Sequence, residues 1–159
     1  MKPVVYLETT IPSYLVSRPS RDLVVAAHQQ VTREWWANRR SEFDLVISRF
    51  VLDEVSQGDT VAASQRLAIL KDIPQLTINE DVLVMTDAIL NTGLIPHRAL
   101  RDAGHIAVSA VNGVDFLLTW NCSHIANGPV IVAVRELCEE MGFECPIICT
   151  PDTLLEPMP

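Results

Sequence analysis

The sequence has no apolar run long enough to cross a membrane and none of the common phosphate-binding loops. Its six glycines never form a Gly-x-Gly-x-x-Gly pattern, and neither Gly-Lys-Thr nor Gly-Lys-Ser occurs, which argues against a nucleotide cofactor. No Gly-x-Ser-x-Gly motif supports a serine hydrolase. The four cysteines include no Cys-x-x-Cys pair, so free thiols in a reducing compartment are expected rather than a zinc site.

Basic residues are scarce, with 12 Lys and Arg against 20 Asp and Glu and a formal net charge of −8. This balance argues against a broad basic surface for nucleic acid, although a metal ion can still bring a phosphate into an acidic pocket. The charge favours a basic partner segment or a restricted basic rim. The candidates for such a rim are three arginine pairs: Arg18 and Arg21, Arg39 and Arg40, and Arg98 and Arg101.

The N-terminus runs directly into a strand-like segment and lacks the apolar core of a signal peptide, so we expect a cytoplasmic protein with no membrane segment. The 159 residues, 48% of them hydrophobic, contain no repeat or linker, which predicts one domain over residues 1–159. The pattern predicts strands at 4–8, 43–47, 116–119 and 147–149, with a possible short strand at 76–78. It predicts helices at 20–38, capped by Ser20, at 49–56, 61–70, 80–90, capped by Asn79, at 102–111, and within 125–141. This alternation is typical of an α/β fold with a mainly parallel sheet.

Four polar residues occupy corresponding places in this pattern. Glu8 and Asn121 lie at the ends of strands, whereas Glu54 and Asp102 lie near the starts of helices. A helix that packs back across a parallel sheet begins at the carboxyl edge of the strands. All four side chains should therefore reach the one edge where open α/β sheets bind their ligands.

Carboxylates gathered at such an edge bind hard divalent cations, so Mg²⁺ or Mn²⁺ is the expected cofactor. Asp102 is the strongest candidate for direct coordination, and Glu8 and Glu54 would add negative charge. Asn121 could supply a carbonyl oxygen or orient a water, and Thr119 could bond a phosphate or a metal-bound water. The chemistry expected of such a site is phosphodiester hydrolysis.

The order of these motifs resembles a PIN domain, in particular the branch that contains the VapC-type toxins. The similarity covers nearly the whole chain and is carried by Tyr6-Leu7-Glu8-Thr9-Thr10, Glu54, Asp102-Ala103-Gly104-His105-Ile106-Ala107 and Leu117-Leu118-Thr119-Trp120-Asn121. The resemblance implies a three-layer α/β/α sandwich and a metal-dependent endoribonuclease. Glu8, Glu54, Asp102 and Asn121 would then occupy the family's four acidic positions. It also implies an RNA substrate, a homodimer and an antitoxin whose tail enters the active-site groove.

This sequence departs from the family pattern at two positions. The first acidic position is usually Asp and is here Glu8, and the fourth is commonly acidic and is here Asn121. One alternative is therefore a non-catalytic PIN-like module that binds RNA or protein through a degraded metal site. A second is a metal-dependent phosphatase or DNA nuclease with the same edge geometry.

Several other residues have alternative interpretations. We expect Asp53 to be a surface charge, Asp115 a turn residue and His105 a packed core histidine. His124 could face the site, although a role in the loop is favoured. Trp120 either packs on the far side of its strand or lines the mouth of the site.

Overall fold

The sheet of the protein, described here over residues 1–159 from a computed structural model, consists of four parallel strands. They lie in the order β2-β1-β3-β4. Their bounds are Val4–Leu7 for β1, Asp44–Val46 for β2, Phe116–Leu118 for β3 and Ile147–Cys149 for β4. In register, Tyr6 of β1 lies opposite Val46 of β2 and Leu117 of β3. The predicted α/β class with a parallel sheet is confirmed.

Seven helices complete a three-layer α/β/α sandwich with this sheet. They are α1 (Thr10–Val16), α2 (Leu23–Asn38), α3 (Arg49–Val55), α4 (Thr60–Leu70), α5 (Glu80–Asn91), α6 (Leu100–Val111) and α7 (Gly128–Met141). Short 3-10 turns lie at Arg40–Glu42, His97–Ala99 and Pro151–Leu154. No helix is both long and apolar enough to span a membrane.

The structure differs from the predicted elements at three places. Helix α1, which begins directly after the first strand, was not predicted, because it is short and carries Pro12 in its first turn. Helix α2 is capped by Asp22 rather than Ser20, since the Asp22 carboxylate accepts from the backbone N–H groups of the next turn. The short strand proposed at 76–78 is replaced by one isolated bridge between Ile47 and Gln75.

The central position of β1 makes it the most buried strand. Val5, Tyr6 and Leu7 have no exposed surface, because β2 and β3 flank the strand and helices cover the sheet. Burial of a phenol at Tyr6 requires a hydrogen-bond partner inside the protein. The partners of Tyr6 lie at the carboxyl edge of the sheet, where the candidate site is found.

Candidate active site

The structure places the predicted site residues at the carboxyl edge of the sheet. Glu8 directly follows β1, and Glu54 lies in α3, the helix after β2. Asp102 lies in the first turn of α6, and Asn121 follows β3. The parallel strands bring these positions to one end of the molecule, but the four side chains have different surroundings.

Glu54 and Asp102 share one open cavity of about 570 Å³. The residues that line this cavity, called the edge cavity below, are Glu54, Arg98, Ala99, Leu100, Arg101 and Asp102. Two carboxylates and two guanidinium groups therefore face the same solvent-filled space. Sequence reasoning named Arg98 and Arg101 as one of three possible basic pairs but could not select them.

One oxygen of Glu54 is held by hydrogen bonds, and the other makes none. Its Oε1 accepts from Thr9 Oγ1 at 2.9 Å and from His105 Nε2. Burial raises the pKa of Glu54. The hydrogen bond and charge of His105, with smaller effects of Thr9 and Arg101, outweigh that effect and lower the pKa overall. Glu54 is thus an oriented carboxylate whose Oε2 has no hydrogen-bond partner.

Asp102 is held in the same manner by a different histidine. Its Oδ2 bonds His124 Nδ1 at 2.7 Å, and its Oδ1 makes no hydrogen bond. The backbone N–H of His124 donates to Asn121 Oδ1 at 3.0 Å. The Asn121 amide therefore fixes the turn that carries His124, and His124 in turn orients Asp102.

Glu8 is almost completely buried, at 3% exposure, and its oxygens are engaged by hydroxyl groups. Glu8 Oε1 accepts from Thr10 Oγ1 and Thr119 Oγ1, both at 2.6 Å, and Oε2 accepts from the Thr10 N–H at 3.1 Å. Burial raises the pKa of Glu8, and the charge of His105 and the bonds from Thr10 and Thr119 oppose that rise only in part.

The same two hydroxyls connect Glu8 to the loop after β3. Thr10 Oγ1 accepts from the Trp120 N–H, and Thr119 Oγ1 accepts from the Asn121 N–H, both at 2.9 Å. Thr119 is itself fully buried. Glu8 and Thr119 therefore hold the loop that carries Asn121. Neither of the two residues lines the edge cavity.

His105 is buried, as expected of a core histidine, but it is also fully hydrogen-bonded. Its Nε2 bonds Glu54, and its Nδ1 lies 2.7 Å from the Tyr6 hydroxyl. That hydroxyl also lies 2.7 Å from Ser48 Oγ. Sequence reasoning missed these contacts because they join residues that are far apart in the chain. A tyrosine in the centre of an apolar strand was the available signal.

Trp120 is buried against α2. Its Nε1 donates to Thr32 Oγ1 at 2.7 Å, and its ring stacks on His28 with centroids 3.9 Å apart. The indole anchors the loop after β3 to α2. Of the two interpretations of Trp120, the structure supports the packing role.

Two of the remaining charged candidates, Arg39 and Asp53, have structural roles away from the edge cavity. Arg39 is not part of a basic rim, because it is buried and bonds Glu42 and the backbone carbonyls of Leu154 and Glu156. Asp53 forms an exposed ion pair with Arg49, as expected of a surface charge.

Asp115 lies at the opposite end of the sheet from the edge cavity. Its Oδ2 accepts from the Val4 N–H at 2.7 Å, which agrees with the predicted structural role in a turn.

No group of three or more His, Cys, Asp and Glu side chains is arranged to hold a metal ion by itself. A comparison with models of protein families and a search of curated proteins found no match to this chain.

Proposed function

We propose that this protein is a metal-dependent endoribonuclease of the PIN-domain type. The observation that carries the proposal is the pairing of Glu54 and Asp102 on the wall of the edge cavity. A histidine holds one oxygen of each carboxylate, and the other oxygen has no hydrogen-bond partner. Two oriented carboxylates with unused oxygens are the donors that a hard divalent cation requires.

Mg²⁺ or Mn²⁺ fits this donor set. Magnesium commonly takes one or two carboxylates and completes its coordination with waters and substrate phosphate, so a third protein ligand is not needed. Glu54 and Asp102 would hold the ion. Glu8 and Asn121 remain predicted members of the site that would act on it through the loop they fix or through water. When bound, such an ion polarises a phosphoryl oxygen and acidifies the attacking water.

The arginines of the edge cavity supply the complementary substrate contact. Arg98 and Arg101 lie beside the carboxylates, and guanidinium groups bind phosphate oxygens with two parallel hydrogen bonds. A phosphate held there is brought next to Glu54 and Asp102 despite the net negative charge of the protein. This arrangement supports a nucleic acid backbone as substrate, and the family resemblance selects RNA.

The resemblance to VapC-type proteins extends the proposal to biological context. The protein would be the toxin of a type II toxin–antitoxin pair, a cytoplasmic homodimer inhibited by an antitoxin. The net charge of −8 and the partly exposed carboxylates of the edge cavity favour an inhibitory segment rich in Lys or Arg.

The direct test is cleavage of a mixed pool of single-stranded and structured RNA in Mg²⁺, Mn²⁺ or EDTA. We expect metal-dependent cleavage that falls to the EDTA level in Asp102→Asn and in Glu54→Gln. The control is Asp53→Asn, which removes the exposed carboxylate next to Glu54 and should retain activity.

Absence of cleavage with every metal, with a native circular dichroism spectrum, would overturn the catalytic proposal. RNA binding without cleavage would instead indicate the non-catalytic PIN-like module. Cleavage confined to DNA or to phosphate monoesters would indicate the nuclease or phosphatase alternative.

A further inference from the structure

A continuous row of hydrogen-bonded polar groups leads from the buried interior to the edge cavity. It runs from Ser48 Oγ to the Tyr6 hydroxyl, then to His105 Nδ1, and from His105 Nε2 to Glu54 Oε1. The first three residues have no exposed surface, and Glu54 is the member that lines the cavity. We call these four residues the buried relay.

The side chains of the buried relay form one connected arrangement of hydrogen bonds. Burial above all, with the charges of Glu8 and Glu54, raises the pKa of Tyr6 well above its usual value, although the Ser48 bond opposes this. The phenol therefore keeps its proton and can donate one hydrogen bond, either to Ser48 Oγ or to His105 Nδ1. The Glu54 carboxylate accepts from His105 Nε2–H.

Each member of the relay fixes the next. Ser48 directly precedes α3, Tyr6 lies in β1 and His105 lies in α6, so three separate elements set the orientation of one carboxylate. A buried donor or acceptor without a partner is unfavourable, which opposes any rotation of the imidazole or phenol away from this arrangement. As a result, the Glu54 carboxylate is held at Oε1, and its Oε2 is left free.

We propose that Tyr6 and His105 are positioning residues that hold Glu54 in the orientation in which its free oxygen binds the divalent cation. This inference rests on the proposed function, because it assigns a purpose to the metal-binding role of Glu54. Tyr6 and His105 touch neither substrate nor metal. They act through Glu54, as residues that hydrogen-bond to a metal ligand do elsewhere.

The test measures Mn²⁺ binding directly, by electron paramagnetic resonance of the free ion, together with kcat and KM for RNA. In His105→Leu we expect Mn²⁺ affinity to fall by about 10- to 100-fold, the usual effect of losing such a partner. Tyr6→Phe removes one oxygen and should produce a smaller loss in the same direction. His105→Gln retains a side-chain N–H group that can reach Glu54 and should restore part of the affinity.

Thr86→Ala is the matched control, since it removes a buried hydroxyl that bonds only its own helix, α5. It should leave Mn²⁺ affinity unchanged. The KM for RNA should stay constant in the relay variants at saturating metal, because no substrate contact is removed, and the loss should appear in the metal concentration required for half-maximal rate.

The possible results separate the inference from the function on which it rests. Asp102-dependent Mn²⁺ binding in the wild type, with equal affinity in His105→Leu and Tyr6→Phe, would overturn the positioning role and leave the nuclease standing. An equal loss in Thr86→Ala would also overturn it, by showing a general effect of destabilisation. A wild type that neither binds Mn²⁺ nor cleaves RNA would overturn both proposals.

Discussion

Among the individual residues of the site, Glu8 and Glu54 show how one type of side chain takes two roles. Burial is the largest single influence on the pKa of both residues, but only at Glu54 do the hydrogen bond and charge of His105, with smaller effects of Thr9 and Arg101, together outweigh it. Their pKa values therefore move in opposite directions from the same starting value of 4.5. This difference can be measured without knowledge of any substrate.

The stability of the protein should depend on pH through these two residues with opposite sign. Between the unfolded pKa of a glutamate, near 4.5, and the higher folded pKa of Glu8, the native state binds more protons than the unfolded state. The free energy of unfolding therefore falls as pH rises through that window. Glu8→Gln removes this titration, so its stability relative to wild type should increase with pH there and level off above it.

Glu54→Gln provides the comparison for this prediction. The folded pKa of Glu54 is lowered, so the stabilisation that Glu54 contributes is complete above the unfolded pKa and is lost as pH falls through the folded pKa. The stability of Glu54→Gln relative to wild type should therefore decrease with rising pH, in a window below 4.5. Urea unfolding at a series of pH values in EDTA measures both differences, and slopes of the same sign would contradict the assignment.

At the scale of elements, the close approach of α3 and α6 brings Glu54 to His105. Gly104 makes the approach possible, because a Cβ at this position would lie 3.0 Å from Cε2 of Phe50. The Phe50 ring also packs edge-on against His105, with centroids 6.1 Å apart. The glycine in the Asp102-Ala103-Gly104-His105 motif thus has a packing role rather than a conformational one.

Gly104→Ala should impair cleavage more than it impairs folding. Alanine favours a helix by about 1 kcal/mol over glycine, which offsets part of the strain. The added methyl group, however, moves Phe50 and with it the contact between α3 and α6. We expect reduced metal-dependent activity at a nearly unchanged melting temperature, and partial recovery when Phe50→Leu is added to the same chain.

Gly128→Ala is the control for this substitution, since a Cβ at Gly128 meets no atom within 4 Å. It should leave cleavage unchanged. Full activity in Gly104→Ala would show that the separation of α3 and α6 does not control the site.

The sequence was sufficient to predict most elements and the edge of the sheet at which the four candidate residues lie. Asn79 caps α5 as expected, and Gly142, with φ of 78°, ends α7. These features depend on local patterns of capping and periodicity. Helix α1 was not predicted, because a seven-residue helix directly after a strand is too short to show a recognisable periodicity of apolar residues.

The different surroundings of the candidate residues could not be predicted, because they depend on contacts that no local sequence pattern records. Burial of Glu8 beneath Thr10 and Thr119, and the bond between Asp102 and His124, follow from how distant segments meet. His105 illustrates the limit, because its apolar neighbours correctly predicted burial but gave no indication of Tyr6 or Glu54.

For the molecule as a whole, the distribution of charge determines how it would meet RNA. The net charge of −8 repels a polyanion, so binding should depend on a few contacts at the edge cavity. The salt dependence of binding counts such contacts, since each phosphate neutralised on a single strand contributes about 0.7 to the slope of log affinity against log salt.

Arg101→Gln should therefore weaken binding of single-stranded RNA and reduce that slope by about 0.7. Fluorescence anisotropy over a salt series in EDTA, where cleavage is not expected, gives both quantities. Arg135→Gln is the control, because Arg135 lies beside Cys145 and Pro146 near the amino end of β4, away from the edge cavity. Equal slopes for wild type and Arg101→Gln would show that Arg101 does not contact an RNA phosphate.

The order of the strands has a consequence for folding of the protein during its synthesis on the ribosome. The first strand made, β1, occupies the centre of the sheet and cannot be enclosed until β3 has been made. At about 5–20 residues per second, roughly ten seconds separate the synthesis of Glu8 from that of His124. Until Thr119 and His124 have been made, the nascent chain lacks the loop that holds Glu8 and orients Asp102. The proposed nuclease would therefore be inactive until its synthesis is nearly complete.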